Sequence, residues 1–394
     1  MTPPPALVVE PNDGAHQGEF LLWIARAWAA RGRRPLVVAA PPAVLAREPR
    51  LGEVAQASGG TVRTVAYPAA AADEAASDPL ERRRWGRLAD AVGRERPSDA
   101  LVMSFEHVAV ALAARRPLPG PVRLHALTLR PTLHYAGLGS PPRGLRERAR
   151  AAVKRAGTAA ALRHPALDTV LTLDPTAAGP LARLGPVRTV AVPDPVPEGE
   201  PDADRDAVRA AHGVPDGRRL VVLPGRIDER KGASVLLEAL ALVPPEAADR
   251  LAVVVAGRVV LRDRPAFDAA LGRARRRAWV SVRDERLPDA SLAALVAAAD
   301  LVVLPYDRHV GSSGFLMRAA GAGVPVLTQA YGLMGHLVRT HRLGRTVEGT
   351  APALARALAE PGGAGFDRGT ALRFARSHTP DAFAAPFLDV LDAS

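Results

Sequence analysis

Short, unbroken apolar runs alternate with longer stretches of helical periodicity along almost the whole chain. In the first half the runs are ALVVE (6–10), LVVAA (36–40), TVRTVAY (61–67), DALVMS (99–104), VRLHALTL (122–129), DTVLTL (168–173) and VRTVAV (187–192). Between the first two, GEFLLWIARAWAARG (18–32) puts Phe20, Leu21, Ile24 and Trp28 on one helical stripe. Apolar runs without polar alternation, separated by helices, predict parallel strands covered on both faces.

The rhythm breaks at PDPVPEGEPDADRD (193–206), which is rich in proline and acid and has no periodicity. That composition reads as a linker. The alternation then restarts with RLVVLPG (219–225), RLAVVVAG (250–257), AWVSVRD (278–284), DLVVLP (300–305) and PVLTQ (325–329). The expected architecture is α/β, with two tandem doubly wound, Rossmann-like domains: 1–195, 196–370, and a helical tail, 371–394, that crosses back to the first domain. No repeat of solenoid length interrupts this pattern. Folds of this kind bind ligands beyond the carboxyl ends of their strands. In a tandem pair that places the expected site in the cleft between the domains.

Composition adds three constraints. Hydrophobic residues make up 48% and aromatics 4% of the 394 residues, so the cores must be built mainly from Ala, Val and Leu. Cysteine is absent, which excludes disulfides, thiolate catalysis and zinc–thiolate sites. The net charge of +11 suits anionic partners such as nucleotide phosphates or a membrane surface, and equally follows from arginine-rich usage with few carboxylates. The amino terminus MTPPPALVVE has no basic segment followed by a long apolar core, and no apolar run is long enough to span a bilayer. The expected setting is cytoplasmic, with room for a peripheral role at the inner face of the membrane.

Lysine occurs only at Lys154 and Lys231; the rest of the 52 Lys+Arg residues are arginine. Lys231 lies in GRIDERKG (225–232), where a buried strand runs out into Gly225. Arg226 and Lys231 flank an acidic turn, at the carboxyl edge of the predicted sheet. Arg grips phosphate with a two-pronged donor set and Lys adds a compact charge, a pair suited to a diphosphate. On charge alone the segment also reads as a solvated loop with an Asp228–Arg230 or Glu229–Lys231 pair. Further on, the DLVVLP strand leads through a polar loop to Gly311, Ser312, Ser313 and Gly314, where a helix begins. Free N–H groups at a helix start, with glycine allowing close approach, form an anion site.

These two stretches, in this order, resemble the donor-binding domain of GT-B glycosyltransferases, closest to glycosyltransferase family 4, also called glycosyl transferases group 1. The likeness covers roughly 215–345, and the first half shares the layout more than the residues. It implies a GT-B fold and transfer of a sugar from a nucleotide diphosphate sugar to an acceptor that the sequence does not name. By that resemblance Arg226 and Lys231 bind the donor diphosphate, the 283–300 segment meets the base, and the reaction retains anomeric configuration without metal or further cofactor. One departure stands out. The two glutamates usual in the family fall at Val310 and Arg318 here. Arg318 cannot accept hydrogen bonds from ribose hydroxyls, so either it meets a phosphate, the donor is unusual, or catalysis has been lost.

The first domain is expected to hold the acceptor. Asp13, Gly14 and His16 lie in the turn after the first strand. Glu106 and His107 follow the fourth. Arg130, His134 and Tyr135 follow the fifth and are expected as an exposed polar and aromatic cluster. His125, inside a strand, reads as a core residue. Asp13, His16 and His107 are the candidate catalytic groups. The D-x-D spacing in PDADRD has no strand before it and reads as solvated. Arg143, Arg146, Arg150 and Lys154 recur at helical steps, either as a solvated face or as a surface for anionic membrane. No nucleic-acid recognition module is visible. The rivals to a transferase are a GT-B epimerase, which lacks a convincing acid/base carboxylate pair here, and a nucleotide-sugar-binding protein without turnover.

Overall fold

The computed structural model describes residues 3–12, 18–67, 80–131, 133–140, 144–197, 204–360 and 365–392. They divide into two compact units, each built on one parallel sheet.

The first unit holds a seven-stranded sheet in the order β3-β2-β1-β4-β5-β6-β7. Its strands are β1 (Ala6–Val9), β2 (Leu36–Ala40), β3 (Val62–Ala66), β4 (Asp99–Val102), β5 (Arg123–Thr128), β6 (Leu167–Thr172) and β7 (Arg188–Ala191). The second holds a six-stranded sheet in the order β10-β9-β8-β11-β12-β13. Its strands are β8 (Arg219–Pro224), β9 (Leu251–Ala256), β10 (Trp279–Arg283), β11 (Leu301–Leu304), β12 (Val326–Gln329) and β13 (Gly344–Val347). All pairings between these strands are parallel, as unbroken apolar runs between helices require. β13 has no counterpart among the expected strands, because GRTV is short and half polar.

In each sheet the strand order reverses beside the first strand of the unit. β1 lies between β2 and β4, and β8 lies between β9 and β11. At such a reversal the connections leave to opposite faces and open a crevice beyond the carboxyl ends.

Successive residues of a strand feed opposite faces. Ala6 and Val8 join one apolar layer of the first unit, and Leu7 and Val9 the other. The layers are mostly Ala, Val and Leu, with the few aromatics concentrated at particular seams. Phe383, from the last helix, Pro380–Leu391, packs on Phe20 and Trp23 of the helix Gly18–Arg31 at ring separations of 4.7 and 5.8 Å, and Phe387 stands against Phe383 at 4.9 Å. Arg34 fastens the same helix from the sheet side. Its guanidinium donates to Asp99 Oδ2 at 2.7 Å and to the carbonyl of Leu391.

The helix Arg368–Arg376 instead belongs to the second unit, where Ala371 and Phe374 join the core. A second departure from a simple division near residue 195 is the 3-10 turn Tyr135–Leu138, which also belongs to the second unit. Tyr135 is 2% exposed there. The exposure expected of it is corrected: a large amphipathic ring gains more from an apolar bed than from a solvated loop.

Candidate functional site

The crevice edge of the second sheet is built from the segments after β8 and β11. Gly225 follows β8 with φ +94°. A side chain there would place its Cβ 2.4 Å from Phe315 Cε2 and 3.5 Å from Lys231 Nζ, so only glycine leaves room. The next glycine, Gly232 (φ +69°), ends the turn that carries Lys231. A Cβ on it would sit 1.9 Å from the carbonyl oxygen of Pro305. The two segments are therefore pressed backbone to backbone.

Between them sits Lys231, 7% exposed. Its ammonium donates to the hydroxyl of Tyr306. It lies 4.2 Å from the centroid of the Tyr306 ring and 5.0 Å from that of Phe315. Among the described residues no carboxylate pairs with it. The Glu229–Lys231 pair does not form: Glu229 instead accepts from the backbone N–H of Arg262 at 2.7 Å. The Asp228–Arg230 pair does form, at 3.7 Å. A buried cation without a counter-ion is costly, and aromatic faces and one hydroxyl offset only part of that cost.

Arg226 is exposed beside this turn, with no ion pair among the described residues. The loop after β11 is stapled from several sides. Tyr331 Oη donates to the Tyr306 carbonyl at 3.0 Å and accepts from Arg308 N at 2.8 Å. Gln329 Nε2 donates to His309 O at 3.3 Å. His309 Nε2 donates to the Ser312 carbonyl at 2.7 Å. This leaves Nδ1 to accept from Arg230 at 3.3 Å.

The loop delivers Gly311, Ser312 and Ser313 to the start of the helix Gly314–Gly321. Ser313 is the N-cap residue but does not cap; its hydroxyl lies 3.1 Å from Tyr306 Oη. Ser312 Oγ is buried without a hydrogen-bond partner. The first N–H groups of the helix have no intrahelical acceptor. Arg318, half-buried, lies in the same helix, and Val310 packs against the core. The structure thus gathers Gly225, Lys231, Gly311, Ser312, Ser313 and Gly314 around one crevice edge, with Arg226 on its rim. Tyr306, His309, Gln329 and Tyr331 were not among the candidates.

Asp13, Gly14 and His16 lie outside the described residues. Glu106 Oε1 accepts from Thr128 Oγ1 at 2.6 Å, Leu129 N at 3.0 Å and Arg130 N at 2.8 Å, so this carboxylate shapes the loop after β5. Arg130 is exposed. His134, expected to be exposed, is nearly buried: its Nε2 lies 3.0 Å from Asp174 Oδ2 and 2.8 Å from Thr176 Oγ1. Bonded to Thr176 and facing the buried Asp174 carboxylate, the imidazole is drawn away from water. His107 is half-buried at the start of the helix Phe105–Ala113. Burial, and next the charge of Arg84, lower its pKa, and its Nδ1 has no hydrogen-bond partner. His125 is 2% exposed in β5, against Asp99. No group of His, Asp and Glu among the described residues could hold a metal ion.

Residues 218–360 match the family model described as glycosyl transferases group 1. A D-inositol 3-phosphate glycosyltransferase of Mycobacterium tuberculosis is 32% identical over 200 residues, covering 47% of this chain. The chain covers 40% of that relative's length. Sucrose-phosphate synthase from Thermosynechococcus elongatus superposes with a TM-score of 0.69 at 16% identity, covering 99% of this chain and 100% of that one. Anabaena HepE, solved in complex with UDP, gives 0.62 at 16% identity, covering 100% of both. At such identities the superpositions establish the fold, which is of the GT-B type with two Rossmann-like sheets.

Proposed function

We propose that this chain is a glycosyltransferase that takes a sugar from a nucleoside diphosphate sugar. The observation that carries the reading is Lys231: a buried ammonium, uncompensated by any described carboxylate, at the strand-order reversal of the second sheet. An anionic ligand would supply the missing charge. Arg226, Lys231 and the start of the helix Gly314–Gly321 together suit a diphosphate. The match of residues 218–360 to glycosyl transferases group 1 and the UDP bound to HepE support the same assignment.

In the proposed reaction the bond between the sugar's anomeric carbon and the diphosphate oxygen breaks. The acceptor oxygen forms the new bond on the same face and passes its proton to the departing diphosphate oxygen. Negative charge grows on the departing diphosphate, and fixed cations and N–H groups stabilise it. Retention of configuration and independence from metal are parts of this proposal, drawn from the family likeness.

We also propose a peripheral contact with anionic membrane through the helix Gly144–Ala161. Leu145 is 82% and Val153 73% exposed. With Ala149, Ala152 and Ala156 they share one exposed stripe at helical spacing. Arg146, Arg150 and Lys154 flank it on one side, and Arg148 and Arg155 on the other. Among the described residues no helix is long and apolar enough to cross a membrane.

The test of the transferase is thermal stability against UDP-, GDP-, ADP- and dTDP-sugars, with sugar release and its anomeric form followed in parallel. Stabilisation by one donor with slow release of the retained anomer is expected. Stabilisation without any turnover, even with acceptors supplied, would instead indicate a nucleotide-sugar-binding protein. Such a protein would fit the Val310 and Arg318 departures.

A further inference from the structure

Tyr306 is 2% exposed, and its hydroxyl stands between Lys231 Nζ and Ser313 Oγ. We propose that Tyr306 is a positioning residue for the donor site: it holds the Lys231 ammonium in place and turns the Ser313 hydroxyl toward the donor diphosphate. The inference rests on the donor-site reading above.

Hydrogen-bond chemistry favours one direction along this chain. An ammonium only donates, so the phenol oxygen accepts from Lys231. The phenol's own proton then goes to its other neighbour, Ser313 Oγ, 3.1 Å away. Ser313 Oγ is thereby used as an acceptor, and its own proton is left to donate elsewhere. An N-cap serine ordinarily accepts from its helix's N–H groups, but Ser313 does not. Leu316 N donates to the Ser313 carbonyl at 2.9 Å, so the diversion to Tyr306 leaves the N–H groups of Gly314 and Phe315 and the serine proton to one ligand. In the resulting order, ammonium, phenol, serine hydroxyl and helix N–H groups form one run of donors.

A neutral phenol suits this task better than a carboxylate. It satisfies the ammonium without cancelling its charge, so the full charge stays for the ligand. The ammonium has little freedom to leave this position. Phe315 closes one side at 5.0 Å, and Gly225 approaches so closely that a Cβ there would lie 3.5 Å from Nζ. The Tyr306 ring is itself held edge-on by His309, with centroids 5.4 Å apart.

The experiment is calorimetric titration of UDP, GDP and ADP, each with its matching nucleoside, into the wild type, Tyr306→Phe, Tyr306→Glu, Ser313→Ala and Lys231→Met. Expected for Tyr306→Phe is about a tenfold loss of affinity for the nucleoside diphosphate that binds best, the range of one hydrogen bond to a charged group. Affinity for its nucleoside should not change. Tyr306→Glu should lose more, because it neutralises Lys231. A wild-type ratio of diphosphate to nucleoside affinity in Tyr306→Phe, alongside a lost ratio in Lys231→Met, overturns the positioning role and leaves the donor site standing. Equal loss for diphosphate and nucleoside in Tyr306→Phe means a merely structural role and also overturns it. Should the Tyr306 variants not fold, Ser313→Ala decides: about a threefold loss specific to the diphosphate supports the chain of donors, and none overturns it. Binding of no nucleoside diphosphate by the wild type, or a Lys231→Met variant that binds as well as the wild type, removes the donor-site reading and this inference together.

Discussion

His134 Nε2 lies 3.0 Å from the buried carboxylate of Asp174, and this pair joins the segments that leave β5 and β6. Thr176 completes the set, donating to Asp174 Oδ1 from its hydroxyl at 2.6 Å and its N–H at 2.8 Å. Asp174 Oδ2 is buried without a hydrogen-bond partner, so removing the imidazole takes away the ring nitrogen that faces it at 3.0 Å. His134→Ala should therefore cost about 1–3 kcal/mol in urea unfolding of the first unit. A His134→Ala variant as stable as wild type would show that the pair contributes nothing net.

Two aspartates make stability depend on acid. Burial by itself raises the pKa of Asp174, but bonds from His134 and Thr176 outweigh it and hold the carboxyl below its ordinary value. In the second unit burial likewise raises Asp300. The N–H of Leu220 at 2.7 Å, with Arg209 and Arg205, brings it below the ordinary value. Both pKa values are depressed by folding. Their contribution is therefore complete above the unfolded value, about 4, and fades as pH falls through the folded values beneath it. Thermal melts from pH 6 down to about pH 2 should show a steep acid limb. Asp174→Asn and Asp300→Asn should each flatten it; parallel limbs in wild type and variants would refute the assignment.

Lys231 trades stability for binding on the proposed reading. Lys231→Met keeps the stem packed and removes a buried charge that has no described counter-ion. The variant should melt no lower than wild type, with a gain of up to about 1–2 kcal/mol, and should lose nucleoside diphosphate binding. A lower melting temperature would mean that the ammonium is chiefly structural.

Gly232 is the tightest backbone approach at the crevice edge. Its φ of +69° and the 1.9 Å approach of a Cβ to the Pro305 carbonyl oxygen both penalise any side chain. Gly232→Ala should destabilise the second unit by about 1–3 kcal/mol or more and separate the two segments that hold Lys231. Gly217, also at positive φ but with nothing within 4 Å, is the control: Gly217→Ala should cost only about 1 kcal/mol. Equal losses at both positions would mean that backbone conformation, rather than the close approach, sets the cost.

The helix Gly144–Ala161 should carry the chain onto vesicles containing anionic lipid at low salt, and release it as ionic strength rises. Replacing Arg146, Arg150 and Lys154 together with glutamine should abolish flotation without changing the melting temperature, since all three are exposed. Flotation unaffected by this triple change would place any membrane contact elsewhere.

Local pattern alone determined much of this protein. Runs such as ALVV and LAVVVA are strands because every residue is apolar and β-rich over a span too short for a helix, and that information lies within the run itself. Lys231 was legible for a different reason: it stands out against a chain that otherwise writes its cations as arginine, Lys154 excepted. Residues without a local signature were decided by the tertiary structure. Tyr306 lies 75 residues from Lys231 in sequence and meets it only because β8 and β11 are neighbours in the sheet. Tyr135 and His134 read as exposed loop residues, yet one is taken into the core of the second unit and the other is held by Asp174. Glu106 reads as an acceptor-side residue, and in the structure its carboxylate is spent on the loop after β5. Periodicity is a property of neighbours along the chain, so sequence carries it. Which loop meets which depends on strand order, and only the folded sheet brings those partners within bonding distance.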